Sequence, residues 1–205
     1  MTAAPLISIS SAVEGTVDEA VARRLISSAG AAPGPVYGKT GKPQLRRQIR
    51  GYGNAARFAP WLVLVDLDDE SECAPPLVRE WLPQSAPLLC FRVAVRAIEA
   101  WLMADRESLA AFLGVARSRI PNSPEEVADP KRAIVNLARS SRRRAIREDM
   151  VPRLGSGRSV GPAYTSRLTD YVESHWRPET AAQRAESLAR AIACLQRLVD
   201  NLGPV

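Results

Sequence analysis

A short apolar run that leads into a group of carboxylates constrains the fold of this chain more than any other feature. Residues Trp61–Val65 are apolar without interruption, and Asp66, Asp68, Asp69 and Glu70 follow directly. Such a run is typical of a strand buried on both faces, as in a parallel sheet. Ligands of these sheets bind just beyond the carboxyl ends of the strands. The run therefore predicts a buried strand, with Asp66 and Asp68 side by side at a functional edge.

The two aspartates have two interpretations. Carboxylates this close repel each other unless a cation or a proton lies between them, and Mg²⁺ is a hard cation that takes oxygen ligands. Alternatively, they are solvated loop acids or the N-cap of the next helix. An Asp-x-Asp pattern is too short to decide between these interpretations by itself.

The first half of the chain alternates between strand and helix patterns. Strands are predicted over residues 6–13, 36–37, 61–65 and 88–95, and helices over 16–30, 43–52, 75–82 and 96–113. Thr16 and Glu19 have the spacing of a capping box, residues 31–35 have the composition of a connector, and Pro83 is expected to stop the third helix. This alternation predicts a parallel sheet with right-handed crossovers.

No strand pattern returns after Gly114. Asp129 and Pro130 have the pattern of an N-cap and first helical residue, residues 154–162 form a glycine-rich basic loop, and helices are predicted over 163–174 and 180–202. The apolar stripe of the last helix indicates core packing or an oligomer seam, which would make the protein a homodimer. We expect an α/β domain over residues 1–114 and a basic, mainly helical region over 115–205 packed on it.

The positive charge of the chain is concentrated in one segment. The net charge is +6, and residues 131–158 contain nine bases and two acids. A local basic patch rich in arginine favours binding to a nucleic-acid backbone, although it is also compatible with a solvated helix face. The residues expected to contact the backbone are Arg142, Arg143, Arg144, Arg147, Arg153 and Arg158.

Several classes of protein are disfavoured by the sequence. No apolar run approaches the roughly 18–20 residues that cross a bilayer, and residues 1–5 lack the basic region of a signal peptide. Three widely spaced cysteines and one histidine argue against structural zinc or a disulfide framework, so we expect a reduced, cytoplasmic protein. Residues 38–43 lack the spacing of a phosphate-binding loop.

Two acidic motifs together resemble the Toprim domain, the metal-binding module of topoisomerases, primases and overcoming-lysogenization-defect nucleases. They are Glu14-Gly15-Thr16-Val17-Asp18 after the first predicted strand and Val65-Asp66-Leu67-Asp68 after a later one. The segment Glu99-Ala100-Trp101-Leu102-Met103-Ala104-Asp105 is similar to a group of small bacterial Toprim-like proteins suspected of a role in phage defence. Residues 129–131 and 155–164 resemble the same group.

The resemblance implies a Toprim-like parallel four-stranded sheet flanked by helices, with a C-terminal helical extension. It also implies phosphodiester hydrolysis of DNA or RNA with Mg²⁺ or Mn²⁺, and a partner ATPase, since related nucleases often work with one. The metal ligands would be Glu14, Asp18, Asp66, Asp68 and Glu99. The catalytic residues would be Glu14, Asp66, Asp68 and Glu99, with Asp105 as a further candidate. A transition state at phosphorus also needs positive charge, which Lys39 near the sheet edge would supply, with Lys42 and Arg96 as further candidates.

Three alternatives to a nuclease remain open. A Toprim-like module with a degenerate site would bind nucleic acid or a partner ATPase without cutting. A phosphatase of the haloacid-dehalogenase kind also uses Asp-x-Asp, but on a first strand and with Thr or Val at the position that Glu70 occupies here. A nucleotide-sugar transferase is the third. Because no tyrosine follows the acids, water would be the nucleophile. His175 is far from the acids in sequence and is expected to be structural.

Overall fold

The fold is built on one parallel four-stranded sheet, in a computed structural model that describes residues 7–68, 73–82, 84 and 86–203. Its strands are β1 (Ser8–Val13), β2 (Ala32–Gly38), β3 (Trp61–Asp66) and β4 (Leu89–Ala94), in the order β2-β1-β3-β4. The predicted α/β architecture is thus confirmed and is consistent with a Toprim-like fold. The predictions for Leu6, Asp69, Glu70 and Pro83 fall outside the described residues.

Helices follow each strand and then make up the second half of the chain. They are α1 (Thr16–Ser28), α2 (Lys42–Ala55), α3 (Ala74–Trp81), α4 (Ile98–Ala104), α5 (Arg106–Leu113), α6 (Pro130–Arg139), α7 (Arg144–Met150), α8 (Tyr164–Ser174), α9 (Pro178–Ala181) and α10 (Glu186–Asp200). Two 3₁₀ turns lie between α5 and α6, at Arg117–Arg119 and Pro124–Glu126. No helix within the described ranges is long and apolar enough to cross a membrane.

Strand β3 is buried on both faces, which explains its uninterrupted apolar sequence. Val63 and Val65 belong to a core cluster that includes residues of α2 and α3. Leu62 and Leu64 belong to the larger cluster, with residues of α1, α4 and the C-terminal helices. Alternate residues of a strand point to opposite faces, so each face of the sheet has its own core.

Strand β2 is longer than the sequence predicts. Residues 31–35 were expected to be a connector, yet Pro33, Gly34 and Pro35 lie within β2. The strand is at the edge of the sheet, where the missing N–H of proline costs little, and its register with β1 shifts between Ile9 and Ser11. A Cβ on Gly34 would lie 3.0 Å from the carbonyl oxygen of Ile9, so glycine permits the close approach of the two strands.

Two helix starts correct the predicted boundaries. The Thr16–Glu19 capping box is not formed, because Gly15 is the N-cap of α1 and Glu19 instead pairs with Arg23 and Lys39. The predicted helix over 180–202 is divided into α9 and α10, since the carboxylate of Glu125 accepts the N–H groups of Glu186 and Ser187 and fixes the start of α10.

The helix predicted over 96–113 is also divided, at Asp105, into α4 and α5, whereas two other boundaries agree with the prediction. As predicted, the Asp129 carboxylate caps α6 by accepting the Arg132 N–H at 2.8 Å, and α5 ends at Gly114. Gly114 has the left-handed conformation. The buried stripe of α10, which includes Leu188 and Leu195, belongs to the larger core, so it packs within the chain. That core contains residues from both sides of Gly114, and the division into two regions there stays a prediction.

Candidate functional site

The candidate site lies at the carboxyl edge of the sheet, where the two central strands end. Glu14 follows β1 directly, and Asp66 is the last residue of β3. The Glu14 Oε1 atom accepts the backbone N–H of Asp66 at 2.8 Å. This contact joins the two acidic motifs, which are 52 residues apart in sequence.

Glu99 and Asp18 reach the same edge from helices. The Oδ1 atom of Asp66 accepts the N–H of Ile98 at 2.9 Å, which fixes the start of α4 beside β3. Glu99 is the next residue and is only 5% exposed. Asp18 is in the first turn of α1 and is also buried. We call these four residues, Glu14, Asp18, Asp66 and Glu99, the acidic cluster.

Three members of the acidic cluster line a cleft of about 270 Å³, which we call the acidic cleft. Its wall is made by residues of α1, β3, α4, α6, the loop before α8, and α8. They are Gly15, Thr16, Val17, Asp18, Asp66, Ile98, Glu99, Lys131, Ser159, Val160, Tyr164 and Thr165. The cleft is thus enclosed jointly by the sheet edge and the C-terminal helical region.

Lys131 and Tyr164 both contact Glu99 inside the acidic cleft. The Tyr164 hydroxyl donates to the Glu99 Oε1 atom at 3.3 Å, and the Lys131 Nζ atom lies 3.7 Å from the same oxygen. Sequence reasoning gave neither residue a role. The only signal was their presence in the segments that resemble the small Toprim-like proteins.

Burial and mutual repulsion raise the pKa values of three residues of the acidic cluster, Glu14, Asp18 and Asp66. Burial raises the pKa of Glu14 from 4.5 to about 7, although the Asp66 N–H and Lys42 oppose the change. Burial, followed by the charge of Glu99, raises the pKa of Asp18 to about 6. The pKa of Asp66 is raised well above its usual value by burial and then by Asp18, Glu99 and Glu14. The cluster is therefore a place where a bound cation would be stabilised.

The donor chemistry of the acidic cluster suits a hard divalent cation, since Mg²⁺ and Mn²⁺ prefer carboxylate oxygens. In the part of the chain that the structure describes, however, no three Asp, Glu, His or Cys side chains are grouped so that they could hold a metal ion. The carboxylates are suitable ligands for such a cation, but their positions in this structure do not form a complete metal site. The metal therefore stays a prediction.

Asp68 lies apart from the acidic cleft. The strand ends at Asp66, and Asp68 has a left-handed backbone with φ of 50°, so strand alternation does not extend to it. Its carboxylate is half exposed and lies 2.9 Å from the Lys42 Nζ atom. Lys42 also donates to the carbonyl oxygen of Asp66 at 2.6 Å and thereby ties α2 to the loop after β3.

The other predicted cations have different surroundings. The Nζ atom of Lys39 lies 3.0 Å from Glu19 Oε2, on α1. Arg96 donates to the carbonyl oxygen of Asp68 at 3.4 Å. The charge of Glu99 raises the pKa of Lys131, which is the cation that lines the acidic cleft.

The six arginines predicted to bind nucleic acid are not gathered at the acidic cleft. Arg143 and Arg147 donate to the carbonyl oxygens of Phe112 and Ser141, and Arg144 pairs with Glu148. The remaining three have exposed side chains with no partner in the described ranges; they are Arg142, Arg153 and Arg158. Of the glycine-rich loop that contains Arg158, only Ser159 and Val160 line the acidic cleft.

Asp105 and His175 have structural surroundings. Asp105 is fully buried between α4 and α5, and its two oxygens accept the guanidinium of Arg177 at 2.9 and 2.7 Å. The ring of His175 lies 5.6 Å from that of Phe112. Neither residue lines the acidic cleft.

Comparisons with protein-family models, curated proteins and solved structures find no match to this chain. The fold assignment therefore rests on the parallel strand order of this structure. The resemblance to the Toprim family rests on the residues of the two acidic motifs.

Proposed function

We propose that this protein is a Toprim-like nuclease that hydrolyses phosphodiester bonds of DNA or RNA with Mg²⁺ or Mn²⁺. The observation that carries the proposal is the convergence of four carboxylates, from two strand ends and two helices, on one edge of a parallel sheet. Burying four like-charged groups together is costly unless a cation compensates them. Sites with carboxylates and divalent cations are a common solution for phosphoryl chemistry.

The residues proposed to hold the metal are Glu14, Asp18, Asp66 and Glu99, with Asp68 at the outer edge. A divalent cation bound there would polarise the phosphate and lower the pKa of an attacking water. Glu14 also positions the amide of Asp66, and Tyr164 orients the Glu99 carboxylate.

Lys131 is the cation we propose to face the phosphate. It lines the acidic cleft, and its ammonium can supply positive charge to the developing transition state. Lys42 reinforces the loop that carries Asp66 and Asp68. Lys39 is held by Glu19, and its catalytic role stays a prediction.

The second candidate is a non-catalytic module that binds nucleic acid or a partner ATPase. It is favoured by the internal cations, since Lys131 pairs with Glu99 and Lys42 with Asp68. These pairs reduce the negative charge that would otherwise require a metal. A role in phage defence is compatible with either candidate.

Cleavage assays separate the two candidates. Purified protein would be incubated with plasmid, single-stranded DNA and total RNA in Mg²⁺, in Mn²⁺ and in EDTA. We expect metal-dependent cleavage of at least one substrate, and its loss in Asp66→Asn because the charged carboxylate that accepts the Ile98 N–H is removed. Loss of a transition-state cation in Lys131→Gln should slow cleavage by about 10²-fold.

The matched controls are exposed charges outside the cleft. Glu173→Gln on α8 removes one acid, and Arg132→Gln removes the base next to Lys131. Both should cleave as the wild type does. Absence of metal-dependent cleavage of all three substrates would contradict the nuclease and favour the binding module.

A further inference from the structure

We propose that the outer side of α2, together with the aromatic residues next to it, binds a single strand of nucleic acid and leads it to the acidic cleft. This inference rests on the proposed function for what happens to the strand. It concerns a surface other than the arginine-rich segment at residues 142–158. Three independent observations carry it: the charge of α2, the cavities beside it, and its exposed aromatic residues.

The charge of α2 is of one sign and lies on one side. The helix contains four bases and no acid: Lys42, Arg46, Arg47 and Arg50. Successive helical residues are about 100° apart, so Lys42, Arg46 and Arg50 fall within about 80° of one another and are spaced by about 6 Å along the axis. An adjacent side of the helix packs in the core. With Arg57, just beyond the helix, these residues form what we call the α2 basic face.

The positive charge at the C-terminal end of the α2 basic face is not neutralised by other side chains of the described residues. Arg50 and Arg57 are exposed, and neither guanidinium group has a hydrogen-bond or ion-pair partner among the residues that the structure describes. Arg46 pairs with Glu80 and lies 5.7 Å from the centre of the Trp81 ring, and Arg47 contacts Gln44. Two arginines with open guanidinium groups are suited to bidentate contact with phosphate oxygens.

Two large cavities lie along the α2 basic face. One, of about 620 Å³, is lined by Arg50, Asn54 and Arg57 together with residues that precede β4. The other, of about 490 Å³, is lined by Lys42, Pro43, Arg46, Arg47 and Trp81. Each cavity therefore combines cationic groups with space that a nucleotide can enter.

Exposed aromatic side chains accompany this charge. Phe58 directly follows Arg57 and is 87% exposed. Tyr37 on β2 is 45% exposed, and its ring lies 6.4 Å from that of Tyr52 on α2. The indole N–H of the buried Trp81 has no hydrogen-bond partner in the described ranges.

The combination favours a single strand over a duplex. Sequence-tolerant binding of single strands uses a positive surface that follows the backbone and aromatic rings on which bases stack. Bases of a duplex are already stacked and cannot use Phe58 or Tyr37. The first residue of the face, Lys42, contacts the Asp66 carbonyl, so the surface ends at the loop that carries the acidic residues.

Binding measurements without metal test this proposal separately from cleavage. Fluorescence anisotropy in EDTA would use a labelled DNA strand of about 20 nucleotides, the matching RNA strand and the DNA duplex. We expect tighter binding of the strands than of the duplex. Arg50→Gln/Arg57→Gln should weaken strand binding about tenfold and reduce the salt slope by about 1.4, the value for two phosphate contacts.

Removal of the exposed ring tests stacking. Phe58→Ala should weaken strand binding about tenfold, and Phe58→Tyr, which keeps the ring, should bind as the wild type does. Because Phe58 is 87% exposed, its loss costs little stability. The charge-matched control is Arg119→Gln/Arg197→Gln, two exposed arginines on other elements, which should leave binding unchanged.

The outcomes distinguish this inference from the nuclease proposal. The inference would be overturned if Arg50→Gln/Arg57→Gln bound the strands as tightly as the wild type does, or if the wild type bound no strand. It would also be overturned if the wild type bound the duplex as tightly as the strands and Phe58→Ala had no effect. Loss of binding in these variants supports it whether or not the protein cuts. Asp66→Asn should still bind the strands through the α2 basic face.

Discussion

At the residue scale, the acidic cluster was largely predictable and its surroundings were not. Glu14, Asp18, Asp66 and Glu99 could be found because parallel strands end at one edge, so acids after separate strands meet there. Lys131 and Tyr164 could not be located by this rule, since they reach Glu99 from the C-terminal helices. Asp68 departs from the predicted pair because a left-handed residue ends strand alternation.

The raised pKa of Glu14 predicts a pH dependence of stability in EDTA. Its pKa is about 7 when folded and near 4.5 when unfolded, so the folded state binds more protons between these values. Stability should therefore be highest below about pH 4.5 for this group and fall as pH rises to about 7. Asp18 and Asp66 act in the same direction, because their pKa values are raised too.

Urea unfolding across this pH range, for the wild type and Glu14→Gln, measures the effect. Gln keeps an acceptor for the Asp66 N–H but cannot ionise, so the decline should be smaller by about 2 kcal/mol after allowance for solvent screening. Equal declines in both proteins would show that Glu14 is not the buried acid described here.

At the element scale, patterns of burial predict β1, β3 and β4 and find only part of the edge strand β2. Strand β3 was identified because each of its faces must be apolar, as Val63 and Leu64 on opposite faces illustrate. Strand β2 was predicted only over residues 36–37, because an edge strand tolerates Pro33 and Pro35, which are otherwise turn signals. The break between α9 and α10 depends on Glu125, which is distant in sequence, so no local pattern predicts it.

The same contrast predicts different costs of truncation in the two strands. Leu64 is fully buried in β3, so Leu64→Ala should lower the free energy of unfolding by about 3 kcal/mol through lost burial and the cavity left behind. Val36 in the edge strand β2 is only partly buried, and Val36→Ala should cost about 1 kcal/mol. Chemical denaturation of both variants tests this, and equal costs would contradict the described burial.

At the scale of the whole molecule, the site is shared between the sheet and the helices that follow it. The predicted boundary at residue 114 separates Asp66 and Glu99 from Lys131 and Tyr164, although all four line one cleft. Sequence patterns give the order of elements but not how the later helices return to the sheet edge. The molecule thus presents an acidic cleft on one side of the Asp66 loop and the α2 basic face on the other.

The central claim is that the acidic cluster holds a divalent cation, and titration of Mn²⁺ followed by electron paramagnetic resonance tests it most directly. The free Mn²⁺ signal should decrease on addition of the wild-type protein and of Glu173→Gln, whose exposed acid is on α8. Asp66→Asn should bind at least about tenfold more weakly, because it removes a charged oxygen ligand from the cluster. No binding by the wild type, or equal binding by Asp66→Asn, would contradict the account.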